Sequence, residues 1–394
     1  MTGNRYIGFD LMRTTAVMLV LLSHSLAFLP FVWPKEYLFT FMGFAGVEIF
    51  FVLSGFLIGN IMYKAFQKKL DKNGLKVFWI RRWFRTLPLY YIVLVLNIVL
   101  TILIDGAHSV PLTAFLFPFF LQNFLWPHPY FFIPAWSLTI EEYFYLLFPL
   151  LLFFFMNIRK LPFRRSFLLM IVLFFAVPLI LRIGSFVLLE SGYIQQLKAG
   201  FNAHWDLHIR RITLFRLDAI AMGVFTAYLM NNYKSFLQKH KNLLLLASIV
   251  LLTGSVWLYF SFVHPDRINV ISAIFIFPLF SIGFALAMPY LQYMRTMGLF
   301  SAPVTFISKI SYSVYLLHTL LSDFLFKYIY KEEYALPYQF LIWLSFIIVS
   351  IAVSALSYRY IELPFTERRE KYGSESAAPP VKVAPVTEVA GEAK

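Results

Sequence analysis

The chain has 394 residues, of which 60% are hydrophobic, 20% aromatic and only 14% charged, with a formal net charge of +14. A soluble domain cannot bury that much apolar surface. The excess of Lys and Arg is what the positive-inside rule asks of cytoplasmic loops, so nucleic acid is not expected as a partner. With no cysteine, disulfides, thiolate metal sites and thiol nucleophiles are excluded.

Long apolar runs recur from end to end, and the fold class expected is an all-α polytopic membrane protein. About ten transmembrane helices are predicted, near 7–29, 38–63, 87–104, 134–156, 165–190, 214–230, 241–262, 268–290, 304–330 and 337–360. The stretch 111–126 is apolar but short and interrupted by Pro118, which suits a re-entrant or interfacial segment. Basic residues crowd the connections after the second, fourth and sixth spans, whereas 105–133 has no Lys or Arg. That alternation places both termini in the cytoplasm. The connection 191–213 breaks the rule with Lys198, Arg210 and Arg211, and with Trp205 and two histidines it suits a folded polar cap over a site. Residues 1–366 form the transmembrane domain, and 367–394, rich in Ala, Pro, Val and Glu, a disordered cytoplasmic tail. Arg13 interrupts the first apolar run and no small-residue cleavage site follows, so no cleaved signal peptide is expected.

Ionisable groups inside spans mark polar cavities, pathways or ion pairs. Arg13 and His24 are eleven residues apart, which returns them to within ~20° of one helix face, about 16 Å apart along the axis. Singly they suit snorkelling and an interfacial imidazole; together they suit the wall of a polar cavity. Glu48 lies in the middle of the second span, where a carboxylate needs a partner, Arg13 being one candidate; Ser54 and Gly55 suit close helix packing. Glu141 and Glu142 follow Pro134 at the start of the fourth span and point about 100° apart, so at most one faces a site. Arg81, Arg82 and Arg85 cluster where the third span meets the membrane surface, and their forks suit phosphates, of a ligand or of lipid. Arg216 and Asp218 in the sixth span, and Tyr312 and His318 in the ninth, are supporting polar residues that also suit ion pairs or satisfied core groups. No ligand spacing for a metal is present, and none is expected.

Seven motifs follow one another in order: "RTTA" with His24, "FFVLSGFLI", "RRWFRTLPLYY", "WSLTIEEYFY", "RLDAIAMG", "ISYSVYLLH" and "IELPF". In this the chain resembles the acyltransferase-3 family of integral membrane O-acyltransferases, which modify bacterial surface polysaccharides, lipopolysaccharide and peptidoglycan. The resemblance covers residues 1 to about 366. It implies transfer of an acyl group, acetyl above all, from cytoplasmic acyl-CoA to a hydroxyl of an extracytoplasmic glycan or lipid-linked sugar, in the bacterial inner membrane. It implies acetyl-CoA as donor substrate and no permanently bound cofactor. Some relatives add an extracytoplasmic SGNH esterase-like domain, which this sequence does not contain, so transfer is expected on the membrane domain or through another protein. His24 matches the family's essential histidine, Arg13 its first-helix arginine and Glu141 the motif glutamate. Arg81, Arg82 and Arg85 match the basic cluster on the acyl-CoA side. With these roles His24 is the general base, Glu141 its orienting partner, and Arg13 a stabiliser of the oxyanion or of bound CoA. An acyl-enzyme on His24 or Ser137 is the alternative route. The rival class is a polytopic transporter or flippase, which uses the same intramembrane charges but predicts an internal symmetry not seen here.

Overall fold

The computed structural model describes residues 6–29, 35–190, 205–264 and 268–371. Helices make up nearly all of it: α1 (Ile7–Ser25), α2 (Lys35–Phe66), α3 (Lys72–Asp105), α4 (Ala135–Phe153), α5 (Phe163–Glu190), α6 (Leu217–Asn232), the short α7 (Lys234–Lys239), α8 (Lys241–Phe262), α9 (Ile276–Gln292), α10 (Ser301–Tyr328), α11 (Leu336–Ser357) and α12 (Leu363–Lys371). Among the described residues, nine helices are long and apolar enough to cross a membrane. The protein is therefore an all-α, multi-pass membrane protein. Successive crossings set the start of α1, the α2–α3 turn and the start of α10 on one face, called here the α1 face.

The expected span missing from these nine is the sixth, 214–230, which is α6. It has only 16 residues, about 24 Å of helix, short of the ~30 Å hydrocarbon core. Yet eleven of its sixteen residues are buried, so it is a central strut with little lipid contact. Outermost is α8, whose apolar window is 17% buried and which turns Leu243, Leu246, Val250 and Trp257 outward. The stretch 111–126 crosses nothing: it coils in short helical turns within the connection between α3 and α4. Residues 205–216 lie over the same end of the bundle, with the Thr213 amide donating to the Asn123 carbonyl at 2.9 Å. The earlier part of the expected cap, and most of the expected tail, lie outside the described residues.

The largest departure from the sequence reading is in α3. Charge suggested a basic connection up to residue 86, but the helix already begins at Lys72. Asp71 caps it, accepting from the Gly74 amide at 2.8 Å. That bond and Lys69 at 3.2 Å hold the Asp71 carboxyl below its ordinary range. Lys and Arg are good helix formers, so a basic run before an apolar one extends the helix. Arg82 and Arg85 consequently stand on a helix wall inside the bundle, with Arg81 on the same helix.

Glycines set the closest approach. The principal pairs are α2 with α6, α1 with α2, α8 with α9 and α1 with α10. A Cβ at Gly55 would overlap the Ile220 carbonyl oxygen, and one at Gly223 the Val52 carbonyl. Here small residues let two backbones touch, as in other membrane helix pairs. Gly55→Ala should destabilise by about 1–3 kcal/mol through overpacking. Gly254→Ala, where a Cβ meets nothing within 4 Å, should be neutral or gain up to ~1 kcal/mol. Thermal unfolding in detergent compares the two, and equal effects would contradict the packing described.

Candidate active site

The central cavity, about 110 Å³, opens between α2, α3, α4 and α10. All four carry polar groups that line it: Ser54 of α2, Arg82, Arg85 and Thr86 of α3, Ser137 and Glu141 of α4, and Ser311, Tyr312 and Tyr315 of α10. A second, wider cavity of about 330 Å³ lies toward the α1 face, lined by Tyr6, Asp10, Ser308, Lys309 and Glu362 among others. Arg13, Leu57 and Arg85 line both. The two spaces thus form a vestibule and an inner chamber, with two guanidiniums at the neck.

The three arginines of α3 part company. Arg82 points into the bundle, donating from Nη2 to Glu141 Oε2 at 3.2 Å and to the Tyr145 hydroxyl at 2.5 Å, with its guanidinium 4.0 Å from the Tyr145 ring centroid. Tyr145 donates in turn to Glu141 at 2.8 Å and is closely bonded to Ser54. Arg85, one turn on, stays at the neck. Arg81, about 100° round the helix from Arg82, lines neither cavity.

Of the glutamate pair, Glu141 faces the chamber. Glu142 is buried against α3, accepting from Thr86 Oγ1 at 2.9 Å; the Thr86 carbonyl accepts from Tyr312 at 2.6 Å. Arg82 and Tyr145 engage Glu141, and among the described residues no hydrogen bond joins it to its expected partner His24. At the far end of the chamber the Ser137 and Tyr315 hydroxyls meet at 2.5 Å.

Arg13 and His24 do share a face of α1, the face that meets α10. Arg13 donates to Ser308 at 3.3 Å and lies 3.9 Å from Asp10. His24 packs on His318, ring centroids 4.7 Å apart, with Phe39 on another side at 5.0 Å. Tyr315 links this pair to the chamber, its ring 6.0 Å from His318. About 16 Å of helix separates Arg13 from His24, so Arg13 cannot reach charge that develops at His24.

Glu48 is not Arg13's partner. It pairs directly with Arg216, neither side chain having any exposure, and accepts from Ser281 at 3.3 Å. Asp218 pairs with Arg182 at 2.6 Å. Both guanidiniums face the Phe277 ring, at 3.9 Å for Arg216 and 5.0 Å for Arg182. Sequence reasoning passed over Arg182, although an arginine inside the apolar run 165–190 is the same signal that drew attention to Arg13. It also passed over Tyr145 and Tyr315, which look in sequence like ordinary aromatics.

Over the opposite end, Asp206 binds Arg210 and Arg211 together. Burial opposes its charge, but the two guanidiniums prevail and hold its carboxyl well below the usual range. Arg210 lies over the Trp136 ring at 4.7 Å. His128, buried with neither ring nitrogen bonded, is pushed down to about 3 by burial and by Arg211.

Residues 6–359 match the acyltransferase-3 family, described as an acyltransferase domain. The chain belongs to that family. A Staphylococcus aureus protein named as a putative O-acetyltransferase is 28% identical over 384 residues, covering 92% of this chain and 57% of its own length. Peptidoglycan O-acetyltransferase OatA of Listeria monocytogenes is 33% identical over 177 residues, 41% of this chain and 26% of OatA. The chain thus spans just over half the length of the first of these relatives. No solved structure matches it.

Two outcomes are expected. Glu48→Leu or Arg216→Leu alone should destabilise the fold by about 3–5 kcal/mol by stranding a buried charge, and the double substitution by distinctly less; additive losses in thermal unfolding would contradict the pairing. The Asp206 carboxyl is depressed, so its stabilisation is full above the ordinary range near ~3.9 and lost as pH falls through the depressed value. Asp206→Asn should lower the unfolding temperature at pH 7, and the gap to the parent protein should narrow toward acid.

Proposed function

We propose that this protein moves an acetyl group from cytoplasmic acetyl-CoA to a hydroxyl of a glycan or lipid-linked sugar on the other side of the bacterial inner membrane. The observation that carries this reading is the pair of joined cavities, running from the α1 face past Arg13 and Arg85 to Ser137 and Tyr315, whose ring lies 6.0 Å from that of His318, the neighbour of His24. Membership of an acyltransferase family favours it over a transporter. Basic residues gather on the α1 face, which the positive-inside rule makes cytoplasmic.

In this reading the vestibule takes the CoA phosphates, with Arg13, Arg85 and Lys309 as their cationic partners. Arg82, already bound to Glu141 and Tyr145, holds the chamber wall. The thin pantetheine arm lies along the chamber and brings the thioester to Tyr315. The Ser137–Tyr315 hydrogen bond has to open for the thioester to reach His24. There one ring nitrogen of His24 takes the proton of the acceptor hydroxyl, and the oxygen attacks the thioester carbonyl carbon. The C–S bond breaks, and the imidazolium returns the proton to the CoA sulfur. An imidazole suits both proton transfers near neutral pH. The acceptor comes from the opposite end, beneath Trp136, Arg210 and Arg211, whose aromatic and polar mixture suits a sugar. The name of OatA supports a cell-wall glycan among the acceptors.

The test is release of CoA thiol from acetyl-CoA by the purified protein, where the absence of cysteine keeps the thiol assay clean. His24→Ala should lower turnover by about 10²–10⁴-fold with folding unchanged. Arg85→Ala should raise KM for acetyl-CoA by roughly 10–100-fold, the loss of a charge-assisted phosphate contact. Turnover unaffected by His24→Ala, or absent from folded parent protein, would overturn the reading.

A further inference from the structure

His318 is 1% exposed, in the middle of α10. Its Nδ1 lies 3.1 Å from the Val314 carbonyl oxygen. A carbonyl only accepts, so Nδ1 carries the proton and the neutral ring's Nε2 carries a lone pair. That Nε2 is buried and has no partner. A buried acceptor left unsatisfied costs stability and calls for an explanation. A merely structural histidine would be served by the Val314 bond alone. The Nδ1 side of the ring turns back on its own helix, so Nε2 lies at the edge away from that backbone, and the ring of His24 packs on His318.

His24, for its part, needs an orienting acceptor if one nitrogen is to stay free as a base. Among the described residues, the buried carboxylates of the bundle and its cap are engaged elsewhere. Glu141 is held by Arg82 and Tyr145, Glu48 by Arg216 and Ser281, Asp206 by Arg210 and Arg211, and Asp218 by Arg182. Among the described residues around the imidazole, Phe39 offers no lone pair. The unused lone pair beside the ring belongs to His318.

We propose that His318 is the positioning residue of His24: its Nε2 accepts the N–H of His24, fixing the tautomer whose other nitrogen takes the acceptor's proton. This rests on the acyltransferase reading above. The bond closes when the two rings turn from their present 66° inclination to bring the nitrogens face to face. His24 then gains the hydroxyl proton on its free nitrogen and keeps its hydrogen bond to His318, now charge-assisted, until the proton passes to the CoA sulfur. His318 itself gains and loses no atom. The Val314 carbonyl thus sets His318, and His318 sets His24, a relay built from two neutral rings where soluble enzymes use a carboxylate. In a low-dielectric interior that arrangement avoids an additional buried charge.

Two amides separate positioning from packing. In His318→Gln the side-chain oxygen falls near the place of Nε2. In His318→Asn the amide keeps the donor to Val314 and leaves nothing at Nε2. CoA release by the purified full chain is expected to fall about a hundredfold in His318→Asn and less than about tenfold in His318→Gln, with KM for acetyl-CoA unchanged in both. His318→Ala is expected to regain turnover when imidazole is added. Combining His24→Ala with His318→Asn should cost no more than His24→Ala alone, since the two act as one unit. Turnover in His318→Asn equal to that of the parent, a His318→Gln as impaired as His318→Asn, or additive losses in the double variant would each overturn the proposal while leaving the acyltransferase reading in place. A parent protein whose release does not depend on His24 would instead remove that reading, and this one with it.

Discussion

Glu48 and Arg216 face each other where α2 meets α6, and neither has any exposure. Inside hydrocarbon a lone ion of either sign is unaffordable, so each helix is committed to the other. Register follows from the glycine contacts: with Gly55 against Ile220 and Gly223 against Val52, the backbones touch and sliding is blocked. Arg182 and Asp218 extend the neutralised cluster to α5, and Phe277 of α9 lays its ring against both guanidiniums. The short α6, nearly enclosed, gathers its neighbours through this polar centre. The site is built against that rigid wall, since the same α2 that carries Glu48 presents Ser54 to the chamber on another face.

Three arginine environments divide the labour within the bundle. Arg216 and Arg182 are fully neutralised and structural. Arg82 is tied to Glu141 and Tyr145, and so fixes α3 to α4 across the chamber. Arg13 and Arg85 stand at the neck between two cavities, where a phosphate can reach them. The same side chain thus serves three ends according to where it stands: enclosed at the α2–α6 contact, bridging α3 to α4, or lining the neck. His24 lies beyond, near a cap in which Asp206 holds Arg210 and Arg211 together. In the proposed function, donor handling and proton transfer are separated along α1 by about 16 Å of helix.

Much of this was legible in the sequence. Apolar length gave the spans, and eleven-residue spacing put Arg13 and His24 on one face, which α10 confirms by meeting both. The motif order gave the family. What could not be read were pairings across helices. Period and hydropathy place a residue on a face but not opposite a partner, so Glu48 was matched with Arg13 and Arg182 went unnoticed. Charge was taken as a mark of a loop in 64–86, although an Asp71 cap and helix-forming basic residues carry α3 far inside it. Glu141 looked like a partner of His24 because both lie near the same end of the bundle, and Arg82, placed at the surface by that error, was not available as its competitor. The role of His318 was hidden for a simpler reason: an unpartnered lone pair is visible only in three dimensions.

In the proposed function, donor and acceptor meet from opposite faces through one bundle. Sealed proteoliposomes with the α1 face outward, given acetyl-labelled acetyl-CoA outside, test it most directly. CoA released outside with labelled acetate or acetylated acceptor accumulating in the lumen is the predicted result. CoA and the acetyl product appearing together on the outside, with none in the lumen, would contradict it.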